Sequence, residues 1–274
     1  MSAQARIPRI DLHTHSQVSD GHGTHDEIVQ RARERGVEVA AITDHYDPLD
    51  PRLGAADVVR DPARLQTVLS LRDSVHRLGS ECGVRVLVGV ERGPLPAPRL
   101  GAADLDLVIG SVHYLVRPIA ARPGDLYNPE FWQAYKEDVL RVAADPQVHV
   151  LGHIAGYLPM DPLLLPGSTF EERRAIEREI AARFFDRSWY EEVFRRVRDT
   201  GKAVELHCAT RTPPPDAVKL GLDLGARFSI GSDAHSLDRV GAVDWALDLL
   251  ESLGATRDDV YIPQVRPHPD HVPA

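Results

Sequence analysis

The chain has 274 residues, with 32 Lys and Arg against 41 Asp and Glu for a formal net charge of −9. That length can bury a large core, and the acidic balance argues against an extended grip on a nucleic-acid backbone. The two cysteines, Cys82 and Cys208, have no zinc-finger or CxxC spacing, which excludes a disulfide scaffold and fits a reducing, cytoplasmic compartment.

Short runs rich in Val and Ile, bounded by turn residues, predict seven strands: RIDLH at 9–13, VEVAAITDH at 37–45, VRVLVGVE at 84–91, LDLVIGSVH at 105–113, HVLGH at 149–153, AVELHC at 203–208 and RFSIGSDAH at 227–235. Their near-continuous apolar character suits strands covered on both faces, as in a parallel sheet. Helices are expected between them. Thr24 with Glu27, Ser168 with Glu171 and Ser188 with Glu191 read as capping boxes, in which paired side chains satisfy the orphan N–H groups of a first turn. Asp61–Pro62 and Asn128–Pro129 read as a cap followed by a proline whose missing N–H costs nothing there. The first helix is expected to end near Gly36, and the last to carry an apolar stripe from Arg239 to Leu253. The segment 154–200 is a longer excursion, with two helices, than a minimal unit needs. No apolar window approaches ~18 residues, so no membrane span is expected, and MSAQARIPRIDL lacks an apolar stretch long enough for a secretory signal. The whole reads as one α/β domain over 1–274, with a core of about 9–262 and a Pro-rich tail (263–274) open to disorder.

The chemistry gathers at the strand ends. Strand one runs into His13 and His15, with Asp20 in the turn beyond; strand two ends at His45, three at Glu91, four at His113, five at His153, and seven at Asp233 and His235. Alternate strand residues share a face, so the His13 and His15 pair can share one ion. Nine imidazoles and carboxylates are too many for one ion and suit two or three. Nitrogen and oxygen donors without thiolate suit Zn, Mn or Fe. Asp11 and Asp44, each neighbouring one of these nine, are candidate acceptors for imidazole N–H groups, the alternative being that strand alternation sends them to the opposite face. Functional side chains drawn from six strand ends favour a barrel over an open sheet.

IDLHTHSQVSDG, followed in order by AAITDH, GVE, GSVH, GHI and GSDAH, resembles the PHP (polymerase and histidinol phosphatase) family. The resemblance implies a distorted seven-stranded (β/α)7 TIM-like barrel with a trinuclear metal centre. It assigns His13, His15, Glu91 and Asp233 to one ion, Asp20, His45 and His235 to a second, and Glu91 as a bridge with His113 and His153 to a third. It implies hydrolysis of a small phosphomonoester by a metal-bound hydroxide, with histidinol phosphate the favoured substrate.

Arg92, Arg117, Arg122 and Arg211, in loops after the third, fourth and sixth strands, are candidate phosphate contacts, because a guanidinium offers a bidentate fork. His207, at the end of strand six, is a further candidate for substrate contact. The alternatives are a nucleotide phosphatase or short-oligonucleotide exonuclease of the same family, an amidohydrolase, and a metal-binding scaffold. None of Lys136, Lys202 and Lys219 ends a strand, so none is placed to bridge ions as in many amidohydrolase barrels. The expected partner is a small phosphorylated molecule, with neither membrane nor long nucleic acid.

Overall fold

The computed structural model describes residues 6–52, 62–97, 100 and 105–263. Asp61 and, in the tail, residues 264–274 with His268 and His271 lie outside the described residues. All seven expected strands form: β1 (Ile10–Asp11), β2 (Val39–His45), β3 (Arg85–Arg92), β4 (Leu107–Gly110), β5 (Val150–Leu151), β6 (Ala203–His207) and β7 (Arg227–Gly231). They pair in parallel in the order β1 to β7. The backbone bonds Leu12 N to Ile230 O, 2.8 Å, and His15 N to Ala234 O, 2.9 Å, bring the last strand back against the first and nearly close the sheet into a barrel.

Pairing in β2 and β3 places Val39 beside Arg85 and, six residues on, His45 beside Glu91. On the other face of these strands, Ala40, Ile42, Val86, Val88 and Val90 pack with Ile28 and Val29 of α1 (His25–Glu34) and Leu65 and Val68 of α2 (Pro62–Cys82). Burying each of these Val, Leu and Ile side chains contributes about 1.5–3 kcal/mol, so the alternation fixes which residues point into the barrel. A one-residue slip would carry His45 to the outside.

The remaining helices are α3 (Pro129–Ala144), α4 (Phe170–Phe184), α5 (Arg187–Asp199), α6 (Pro215–Asp223) and α7 (Asp244–Ser252). The Thr24–Glu27 capping box and the Asn128 cap form as expected, and Gly36 takes a left-handed φ of 69° just past α1. Three expectations shift. The box at α4 is built by Thr169 and Glu172, one residue later than Ser168 and Glu171. The α5 cap is Asp186, which accepts from Trp189 N at 2.9 Å in place of Ser188. The stripe from Arg239 becomes helix only at Asp244, because Gly241 adopts a φ of 73° and gives its N–H to Asp11. No helix among the described residues is long and apolar enough to cross a membrane.

Candidate metal centre

The ladder stops short of the chemistry. Regular pairing ends at Asp11 in β1, Gly110 in β4, Leu151 in β5 and Gly231 in β7, so His13, His113, His153 and Asp233 sit just past it. His153 and Asp233 have positive φ values of 21° and 52°, a backbone region disfavoured for side-chain-bearing residues and common at functional sites. Freed from the ladder, these side chains turn over the barrel mouth.

All nine residues converge there, with Glu91 at the centre. Its Oε2 lies 3.3 Å from His13 Nε2, 3.6 Å from His15 Nε2 and 3.1 Å from His45 Nδ1. Its Oε1 faces the other way, 3.2 Å from His113 Nε2 and 3.0 Å from His153 Nε2, and accepts the Ser111 hydroxyl at 2.6 Å. Asp233 Oδ1 lies 3.1 Å from His15 Nε2 and 3.5 Å from His13 Nε2. Asp20 reaches in from its turn, 3.6 Å from His45 Nε2 and 3.4 Å from His235 Nε2. Separations of this size are those of two donors each about 2.0–2.2 Å from one ion.

Three groupings of donor atoms could each hold a cation: His15, Asp20, His45 and His235; His13, His15 and Asp233; and His45, Glu91 and His113. His13 Nε2 and both ring nitrogens of His15 are buried without a hydrogen-bond partner, despite the carboxylate oxygens around them. Buried polar atoms are normally satisfied, so orphans clustered among carboxylates fit a cation. The donor set fits too, being entirely nitrogen and oxygen.

The electrostatics agree. Burial raises the Glu91 carboxyl, but the charges of His13 and His113 outweigh it and hold it well below the usual range. Asp233 is likewise held well below that range against burial, by the charge of His13 and a bond from His15. Burial lowers His13, yet the charges of Glu205, Glu91 and Asp233 lift it well above an ordinary imidazole. His15 moves the other way, pushed down to about 4 by burial and by the charge of His45. Burial also lowers His235, but its bond to Asp20 and the charge of Asp233 lift it to about 9. Ionised carboxylates thus hold protons on His13 and His235 but not on His15, and a cation would take the place of those protons.

Glu205 on β6 joins the cage although no sequence motif singles it out. It accepts from His13 Nδ1 at 2.7 Å, which leaves the lone pair of His13 Nε2 free for a cation, and its other oxygen accepts the His153 N–H at 2.9 Å. A side chain at Gly231 would strike this carboxylate, since a Cβ there would lie 2.1 Å from Glu205 Oε1. The signal was an acidic residue inside the apolar run AVELH, which burial forces to find a partner. Asp11 and Asp44, expected on imidazoles, touch none of the cage imidazoles and instead bind loop N–H groups and serine hydroxyls, Asp44 also lying 3.7 Å from His25 Nε2. Asp11 accepts from Ser232 N, Ser232 Oγ and Gly241 N, fixing the loop that carries Asp233. Asp44 accepts from Ser16 N, Ser16 Oγ and Ser19 Oγ, fixing the loop that leads to Asp20.

The cage floors a cleft of about 460 Å3 whose upper walls carry Asp47, Asp50, Arg52, Tyr157, Asp161 and Arg173. None of the arginines expected from the sequence lines it. Arg92 is fully buried, because its neighbour Glu91 occupies the inner face; its guanidinium bonds Gly93 O, Leu95 O and Asp145. Arg117 is exposed and paired with Glu130 at 2.7 Å, and Arg122 is exposed. Arg211 lines a different cavity. His207 is fully buried, with Nε2 3.1 Å from Asp233 Oδ2 and Nδ1 2.6 Å from Thr210 Oγ1, so it braces Asp233 from behind rather than facing the cleft.

Residues 11–206 match the family model described as PHP domain. The chain belongs to the PHP family. It is similar to a protein of Syntrophotalea carbinolica named "Probable phosphatase", 27% identical over 267 residues and covering 92% of this chain and 90% of that one. An equally named protein of Acetivibrio thermocellus is 26% identical over 259 residues, covering 89% and 86%. Among solved structures, the fold is similar to the histidinol phosphate phosphatase of Lactococcus lactis, described in complex with zinc, L-histidinol and phosphate. The TM-score is 0.64 at 18% identity, with 93% of this chain and 98% of that chain covered. At that identity the likeness speaks for the PHP-type barrel.

Proposed function

We propose that this PHP-family phosphatase hydrolyses a small phosphomonoester at the barrel mouth, with His13, His15, Asp20, His45, Glu91, His113, His153, Asp233 and His235 holding two or three Zn, Mn or Fe ions. The observation that carries the reading is Glu91, whose two oxygens face separate groups of imidazoles as a bridging carboxylate must. Ions bound there would lower the pKa of a coordinated water toward neutrality and draw charge from the phosphoryl oxygens.

The chain's own residues do the rest. Glu205 holds the proton of His13 on Nδ1, and the Gly156 carbonyl holds that of His153 on Nδ1 at 3.2 Å, so both rings offer Nε2 to the cage. Arg52 and Arg173 flank the cleft above. Asp50 grips Arg52 through Nε and Nη2, and Asp161 pairs with Arg173 at 2.8 Å while its charge also reaches Arg52. Both guanidiniums are thereby pre-positioned for an anionic substrate group. Asp47 Oδ2 is buried at the same wall without a hydrogen-bond partner. With Asp50 and Asp161 taken up by the two arginines, the carboxylate left over, Asp47, favours a substrate with a cationic end, such as histidinol phosphate, over a nucleotide.

The test compares turnover of histidinol phosphate, nucleoside bisphosphates and short oligonucleotides by metal-loaded and chelator-stripped protein. Metal-dependent release of phosphate, fastest from histidinol phosphate, is expected. Bound metal without turnover of any ester would overturn the reading.

A further inference from the structure

Beside the cleft, sharing no lining residue with it, lies a second cavity of about 490 Å3 between α4, the start of α5 and the 210–215 loop. Ala155, Phe185 and Pro214 supply apolar wall, whereas Arg174, Arg178 and Arg211 supply positive charge. In a chain of net charge −9, three arginines at one cavity call for an explanation.

Arg174 is more than nine-tenths buried, its guanidinium 4.4 Å from the Tyr157 ring centroid. One of its nitrogens pairs with Glu177, but Nε and Nη1 are buried without a partner. The Tyr190 hydroxyl, on the same cavity, is also buried and unpartnered. Arg178 and Arg211 have no ion-pair partner among the described residues. Arg211 keeps a φ of 57°, strained for a non-glycine residue, in a loop clamped by the reciprocal bonds of His207 and Thr212. Buried donors left unmatched beside two free guanidiniums suit an acceptor-rich anion, and the apolar wall suits an organic body attached to it.

We propose that this cavity is a second small-molecule site, distinct from the metal cleft, that takes an organic anion: a carboxylate or phosphate group borne on an apolar ring or chain. The anionic group takes up the unmatched donors of Arg174 and Tyr190, with Arg178 and Arg211 adding charge at the mouth, and the apolar part lies against Phe185 and Pro214. The hydroxyls of Thr212 and Thr210, 2.8 Å apart, continue through His207 to Asp233, so the two sites are neighbours and must be told apart experimentally.

Calorimetric titration of the metal-loaded protein with phenylphosphonate, a non-hydrolysable anion with an apolar ring, separates them. The expected result is a binding event that E91Q leaves in place and that the double variant R178A/R211A weakens at least about tenfold, with its thermal melt unchanged. A single event lost in E91Q and retained in R178A/R211A would overturn the proposal, as would no binding at millimolar probe. Because E91Q removes the bridge of the cage, failure of the phosphatase reading leaves the cavity's binding event standing.

Discussion

The floor of the cleft and its rim are built by different physics. The floor hangs from the strand ends, where parallel register sets neighbour against neighbour, as with His45 beside Glu91. The rim comes from loops and from α4, where Asp50 holds Arg52 two residues away and Asp161 holds Arg173, with the charge of Asp161 also reaching Arg52 from far along the chain. A ladder is a local rule repeated, so its products follow from the order of the strands. A rim is a tertiary arrangement, and its parts carry no shared periodicity.

The variant that presses hardest on this contrast is Glu91→Gln. Removing the charge between two groups of imidazoles is expected to cut metal content, measured by mass spectrometry, and to reduce turnover more than about 100-fold. Retained metal with near-normal turnover would mean the floor does not work through its bridge.

Arg92 tests the boundary between the regions, being one residue from the floor and read from sequence as a rim contact. Its burial against Asp145 makes Arg92→Ala a stability variant, costing about 3–5 kcal/mol in denaturant unfolding. A changed KM with unchanged stability would return it to the substrate. Glu205→Gln keeps the shape of the His13 partner but not its charge, and a loss of about 10–100-fold in metal affinity is expected.

At the rim, Arg52→Ala and Arg173→Ala should each raise KM about tenfold, with a smaller change in kcat and full metal content. A fall in metal content instead would merge rim and floor into one unit. The smallest effect is at the start of α4, where Thr169→Ala should cost about 1 kcal/mol of stability and Ser168→Ala close to nothing.

The barrel and the nine cage residues were legible because hydrophobic runs locate strands and a chemical residue at the end of each announces a shared face. What stayed hidden has physical reasons. Glu205 lies inside a strand, and only the return of β7, the neighbour of β6, against β1 brings it onto His13. Arg92 read as a phosphate contact because sequence adjacency hides the fact that neighbours on a strand point to opposite faces. Ser168 and Thr169 both offer a capping hydroxyl with a glutamate three residues on, and the helix register chooses between them.

Anomalous diffraction from crystals of the metal-loaded protein tests the central claim most directly. Two or three peaks should lie at the barrel mouth on either side of the Glu91 carboxylate, about 2.0–2.2 Å from the imidazole nitrogens and carboxylate oxygens around them. Peaks only at the molecular surface, with His13, His15 and Glu91 in contact with no ion, would contradict it.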